Sequence, residues 1–128
     1  VSDYRVAEVS DGKVRKESQD SDELTISLVE NPDILKGLVE TRRPGQTIIG
    51  FAAETGASVD EVLDYGRRKL ARKGCDWLAV NEVGWKAGFE SLDNTLHMLS
   101  ADGGDPVTVS GTKLEVAAAL VNTVLSKQ

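Results

Sequence analysis

Cationic side chains gather at two places where they could meet an anion. Lys69 and Lys73 stand four residues apart, on one face of a helix. Lys13, Arg15 and Lys16 follow the turn signal Ser10-Asp11-Gly12 near the amino terminus. Cations at these spacings neutralise phosphoryl oxygens when they converge on them, and are ordinary solvated or edge-strand side chains when they do not. A third feature is Asn31-Pro32-Asp33-Ile34. Asn31 as N-cap, with Pro32 and Asp33 in the first two helical positions, predicts a helix over 32–41. Its free N–H groups and positive dipole end suit phosphate or sugar oxygens; the same pattern also makes a plain capped helix start. The fourth is Thr47-Ile48-Ile49 followed by Gly50-Phe51-Ala52-Ala53. The β-branched residues predict a short buried strand over 47–49, and the small ones a turn that lets a ligand approach the backbone beyond the strand's carboxyl end. Phe51 is the one large group there, a ligand contact or a core ring.

The elements that must carry these residues follow from pattern. Residues 4–9 and 13–16 predict a β-ribbon across Asp11-Gly12, and the polar stretch 17–23 a mobile loop. A strand over 24–29 ends at the Asn-Pro helix start. Ser58-Val59-Asp60-Glu61 is a capping box opening a helix that runs to Lys73 and stops at Gly74, with Val59, Val62, Leu63, Gly66 and Leu70 as its apolar stripe. Residues 76–80 read as a buried strand running into a loop at Asn81, and 84–93 as irregular. Residues 95–99 and 107–109 predict a hairpin. A closing helix over 112–125 has Leu114, Ala117, Ala118, Val121 and Leu125 at helical spacing. Strands alternating with helices after residue 24 predict a three-layer α/β arrangement with a mostly parallel sheet.

Length and charge set the bounds. At 128 residues the chain suits one domain. A sequence beginning at Val1 without methionine or leader reads as a piece of something longer. The net charge of −6 argues against a nucleic-acid partner, which demands a basic face. No apolar run reaches the roughly 18 residues of a membrane span. The single cysteine, Cys75, excludes an internal disulfide, fits a cytoplasmic location and reads as an apolar filler. With one histidine, His97, there is no Cys/His zinc cluster, and His97 within a strand reads as structural. The Walker, dinucleotide and nucleophile-elbow glycine motifs are all missing.

Several segments in register resemble one family. Asp3-Tyr4-Arg5, Lys13-Val14-Arg15-Lys16, Asp22-Glu23-Leu24-Thr25, Asn31-Pro32-Asp33-Ile34, Gly50-Phe51-Ala52-Ala53-Glu54-Thr55, the Arg68-Lys69 to Arg72-Lys73 run and Asn81 are together similar to the carboxyl-terminal part of bacterial phosphopantothenate-cysteine ligase. The resemblance implies a Rossmann-like (ribokinase-like) fold with a β-ribbon extension. It makes residues 1–128 the carboxyl-terminal part of one ligase domain, with the ribbon at 4–16, the loop at 17–23 and the α/β core at 24–128. The amino-terminal half of that fold would be missing. The implied reaction joins 4′-phosphopantothenate to L-cysteine using CTP and Mg²⁺, through an acyl-cytidylate, in coenzyme A biosynthesis. The implied CTP contacts are Asp3, Lys13, Asn31, Pro32, Asp33, Ile34, Phe51, Lys69 and Lys73, with Lys13 the essential lysine of a Lys-x-Lys-Lys motif. Arg15, Lys16 and Asn81 are implied substrate or phosphate contacts, and no side chain is a direct metal ligand. The resemblance further implies a homodimer and a fused flavin decarboxylase domain whose FMN lies outside this chain. Arg15 in place of the second lysine and Glu82 in place of the aspartate common after Asn81 depart from the family's pattern. Two other readings stay open. One is a non-catalytic nucleotide-binding or dimerisation module; the other, a dinucleotide-binding domain, is disfavoured by the absent glycine fingerprint.

Overall fold

The computed structural model describes residues 2–8, 25–83 and 94–127. The ribbon strand 13–16, the loop 17–23 and the irregular stretch 84–93, with Lys13, Arg15 and Lys16, lie outside the described residues. The chain forms two compact units, 1–34 and 35–128.

In the first unit, β1 (Tyr4–Val6) pairs antiparallel with β2 (Leu28–Glu30), Arg5 opposite Val29. The strand predicted over 24–29 is therefore shifted toward Glu30, and all three residues of each strand are exposed. The ribbon is extended by Ala7 N–H to Ser27 O and Asn31 N–H to Asp3 O, at 2.9 and 2.8 Å. Helix α1 is Ile34–Glu40, shorter than the 32–41 expectation. Pro32 holds Asn31 extended, so the helix waits until the chain has passed Asp33.

The second unit is a sheet in the order β3-β4-β5-β6: Ile49–Glu54, Trp77–Glu82, Asn94–Ser100 and Val107–Gly111. Only β3 and β4 run parallel; β4–β5 and β5–β6 are antiparallel, so the sheet is mixed and the mostly parallel expectation is corrected. The hairpin between β5 and β6 fixes that sense. The turn expected at 50–53 is also corrected, because Gly50 to Glu54 continue the strand and pair from Leu78 to Glu82. Asn81 and Glu82 are likewise in β4, not in a loop. Small residues in β3 are needed for packing. A Cβ on Gly50 would sit 2.7 Å from Leu35 Cδ2 and 3.0 Å from Leu78 Cδ1.

Helix α2 (Val59–Lys73) begins and ends where the sequence predicts. Ser58 Oγ accepts from Glu61 N–H, but the Glu61 carboxylate takes the N–H of Ala57 instead of closing the box on Ser58. Gly74 ends the helix with φ of 70°, donating to Leu70 O. Val62, Gly66 and Leu70 are buried against one face of the sheet with Ala52, Cys75, Leu78, Val80 and Leu99. Helix α3 (Lys113–Ser126) covers the other face, where Val116 and Val124 join Trp77, Ala79, Leu96 and Met98. The α3 stripe read from the sequence is the wrong one: Leu114, Val121 and Leu125 are 81, 49 and 60% exposed. The helix is apolar nearly all round, so periodicity alone leaves its buried face undecided.

A full capping box starts α3. Thr112 Oγ1 accepts from Glu115 N–H, and Glu115 Oε2 accepts from Thr112 N–H at 2.9 Å and from the hydroxyl at 2.8 Å. The hydroxyl first, then the amide, holds the Glu115 carboxyl below its ordinary value of 4.5. The folded-state value is depressed, so the box's contribution is complete above pH 4.5 and is lost as pH falls through the folded value. Amide-exchange protection in the first turn of α3 is therefore expected to fall on acidification below that point, and Thr112→Val to blunt the fall. A pH-independent first turn in the parent protein would contradict this account.

Candidate functional site

In the first unit, the described residues bring Asp3 and Asn31 together. The Asn31 side chain donates to Ser2 O at 2.8 Å and accepts from Arg5 Nη1 at 3.1 Å, while Arg5 also donates to Glu30 O at 3.0 Å. Asn31 is thus tied to the ribbon, and its expected role as an N-cap is corrected. Arg5, which the sequence reading singled out only as part of a motif, is what orients it. Its place opposite Val29 comes from the strand pairing, which no local pattern encodes. Pro32, Asp33 and Ile34 follow on the exposed surface. Asn31→Ala removes the amide from Ser2 and Arg5 and is expected to cost about 0.5–1.5 kcal/mol for each hydrogen bond lost. If the residue also contacts ligand, nucleotide affinity falls by more than the melting shift accounts for. Affinity unchanged beside a lowered melting temperature would limit Asn31 to its structural role.

In the second unit, the sheet separates Phe51 from Lys69. Ala52 and Glu54 alternate with Phe51 and Ala53 along β3, and Ala52 faces α2. Glu54 therefore also lies on the α2 side, where its Oε1 takes Lys69 Nζ at 2.7 Å, with only 19 and 30% of the two side chains exposed. Phe51 points to the opposite side and is 69% exposed. Asn81 pairs with Ala53 and shares that side, half-buried. Phe51 and Lys69 thus lie on opposite sides of one strand, Phe51 at its middle and Lys69 bound at its carboxyl end. Lys73 lies on α2 one turn beyond Lys69, half-buried in the helix's last turn. Glu54, which the sequence reading quoted only as part of a motif, is the counter-charge that holds Lys69.

Nearer the start of α2, Tyr65 Oη donates to Glu61 Oε1 at 2.9 Å, and Arg68 lies 4.9 Å over the Tyr65 ring. The Ala57 N–H, then the Tyr65 hydroxyl, hold the Glu61 carboxyl below its ordinary value; the same bond pushes the Tyr65 phenol up. Cys75 is in the core and its thiol is pushed up by burial, in keeping with a filler. At the other end of the sheet, Arg42 donates to Asp76 Oδ1 and Gly74 O at 2.9 and 2.7 Å, and Asp76 Oδ2 accepts Ile48 N–H. A cleft of about 460 Å³ opens there, lined by Leu38, Thr41, Arg43 and residues 46–49. None of the expected site residues lines it, and its position at the amino end of β3 is the wrong end for an α/β ligand site. Among the described residues no three His, Cys, Asp or Glu side chains are placed to hold a metal, and no helix is long and apolar enough to cross a membrane.

Comparison with known proteins extends these observations to the whole chain. The family described as DNA/pantothenate metabolism flavoprotein C-terminal domain matches residues 1–127. The Coenzyme A biosynthesis bifunctional protein CoaBC of Mycolicibacterium smegmatis is 42% identical over 97% of this chain and 31% of its own length. The Escherichia coli K12 protein of that name is 40% identical over 80% of this chain and 25% of its length. The chain thus spans about a third or less of these relatives. The crystal structure of the C-terminal domain of Coenzyme A biosynthesis bifunctional protein CoaBC superposes with a TM-score of 0.67 at 27% identity, covering 100% of this chain and 52% of that one. The DNA/pantothenate metabolism flavoprotein from Streptococcus pneumoniae shares the fold, with a TM-score of 0.66 at 22% identity over 86% of this chain and 45% of that one. With its mixed α/β sheet and a match running over nearly every residue, the chain belongs to the DNA/pantothenate metabolism flavoprotein C-terminal domain family.

Proposed function

We propose that this chain is the CTP-binding part of a phosphopantothenate-cysteine ligase acting in coenzyme A biosynthesis. The observation that carries the reading is the family match over residues 1–127, joined to about 40% identity with bifunctional coenzyme A biosynthesis proteins. In the proposed reaction a carboxylate oxygen of 4′-phosphopantothenate attacks the α-phosphorus of CTP, forming an acyl-cytidylate and releasing pyrophosphate. The amine of L-cysteine then attacks the acyl carbon, the amide forms, and CMP leaves with the anhydride electrons. The chain's contribution is charge neutralisation and positioning. Lys13, Lys69 and Lys73 are assigned to phosphate oxygens, Asp3, Asn31, Pro32, Asp33 and Ile34 to other CTP contacts, and the exposed ring of Phe51 to stacking. Arg15, Lys16 and Asn81 are assigned to substrate or phosphate. The described donors do not form a cage for a metal. The proposed Mg²⁺ arrives on the triphosphate, where it would supply charge neutralisation between phosphates. A Rossmann-like sheet completed by chain outside these residues, a homodimer, a cytoplasmic setting and a fused decarboxylase carrying FMN belong to the same proposal.

Calorimetry with CTP, ATP and NAD tests it. CTP with Mg²⁺ is expected to bind, and Lys73→Ala to weaken binding and flatten its salt dependence. The loss is about 1.5–3 kcal/mol for a desolvated charged hydrogen bond and under about 1 kcal/mol for an exposed one. Preference for NAD, or CTP affinity untouched by Lys73→Ala at low salt, would overturn the assignment.

A further inference from the structure

One buried titratable side chain has no part in the proposed site. His97, the only histidine in the chain, lies on the interior strand β5 and is 2% exposed. Its Nδ1 is 2.9 Å from Thr108 Oγ1 on β6. Its Nε2 is buried with no hydrogen-bond partner among the described residues and lies 3.6 Å from Glu82 Oε2 on β4. A buried imidazole nitrogen in this state is costly until a proton and an acceptor complete it.

The sheet register explains where it points. Glu54 pairs with Glu82, Val80 with His97, and His97 with Thr108, which puts all of them on the face covered by α2. The row across the sheet is Lys69, Glu54, Glu82, His97, Thr108. On α2 the buried residues are Val62, Gly66 and Leu70, all uncharged, so the one α2 charge shown on the row is that of Lys69 at its Glu54 end. At its border stand Lys69, bound to Glu54, and Tyr65, which feels the charge of Glu54. Two carboxylates at directly paired positions repel, and the ammonium of Lys69 compensates only the nearer one.

We propose that His97 is a positioning residue for Lys69: its imidazolium form, with both ring nitrogens protonated and Nε2–H donated to Glu82, compensates that carboxylate and lets Lys69 leave Glu54 to take an anionic ligand. The inference rests on the reading of Lys69 as a phosphate-binding residue. With the imidazole neutral, moving Lys69 away leaves two uncompensated carboxylates; with the imidazolium it leaves one. Anion capture by Lys69 therefore takes up a proton from solvent at His97. By reciprocity, loss of Lys69 from the row favours that proton. Capture tightens as pH falls and weakens as pH rises.

Because the chain has a single histidine, its imidazole signals in long-range ¹H–¹⁵N spectra assign themselves. The titration midpoint is expected to be higher in Lys69→Ala than in the parent protein, and lower in Glu82→Gln. CTP with Mg²⁺ should raise the midpoint in the parent protein and leave it unmoved in Lys69→Ala. A common midpoint in the parent and both variants overturns the proposal, as does CTP that binds the parent without moving it. Absence of CTP binding with both variant shifts intact would sink the nucleotide reading of Lys69 while supporting the coupling itself.

Discussion

Lys13→Gln, in the ligase that carries this chain, is expected to slow pyrophosphate release in a single turnover by a factor on the order of 10² or more while CTP affinity stays within a few-fold. The factor is the scale of one lost donor to charge that develops in the transition state. Charge on the bridging oxygen of the departing pyrophosphate grows only as the α-phosphorus is attacked, so a lysine serving it acts on the rate rather than on ground-state binding. The neutral amide of glutamine keeps most of the length and hydrogen-bonding capacity and removes the charge, which isolates that effect. Near-normal release would reduce Lys13 to an edge-strand cation that discourages aggregation.

The second large effect is on stability. Gly66 sits in the middle of α2, where alanine is intrinsically better by about 1 kcal/mol. A Cβ there would nevertheless lie 2.6 Å from Leu99 Cδ1 and 2.8 Å from Val80 Cγ2. Val80 is fully buried and stiff at χ1, and Leu99 is 2% exposed, so neither has room to yield. Gly66→Ala is therefore expected to destabilise the protein by about 1–3 kcal/mol, the usual cost of overpacking, despite the propensity gain. A raised melting temperature would mean that α2 can lift off the sheet without loss, contrary to the close packing described above.

What the sequence disclosed and what it hid divide along physical lines. Local signals held: Ser58 and Gly74 bracket α2 because cap chemistry is decided within a few residues. The hairpin of β5 and β6 was legible for the same reason. Signals that depend on a partner strand did not hold. Gly50, Ala52 and Ala53 look like a turn by composition, yet pairing with Leu78, Val80 and Asn81 makes them strand. On α3, Leu114 and Leu125 compete with Val116 and Val124 for the core, and only the register against β5 and β6 decides between the two stripes. The site followed the same rule. Lys69 stood out by its spacing from Lys73, but its tie to Glu54 depends on how α2 lies across β3, which no local pattern encodes. Asn31 was read as a helix cap and is instead bonded to Ser2 and Arg5. A cap is a common use of asparagine before Pro-Asp, whereas its bonds to Ser2 and Arg5 come from a segment far away in sequence.

The central claim is that these residues serve a cytidylyl-transfer ligase, and the most direct measurement is mass detection of the acyl-cytidylate. The ligase carrying this chain is mixed with CTP, Mg²⁺ and 4′-phosphopantothenate, with L-cysteine withheld. The account predicts a mixed anhydride of CMP and phosphopantothenate, formed with one equivalent of pyrophosphate, consumed when cysteine is added, and sharply diminished in Lys13→Gln. Pyrophosphate release that does not require phosphopantothenate, or no anhydride from CTP at any enzyme concentration, would contradict it.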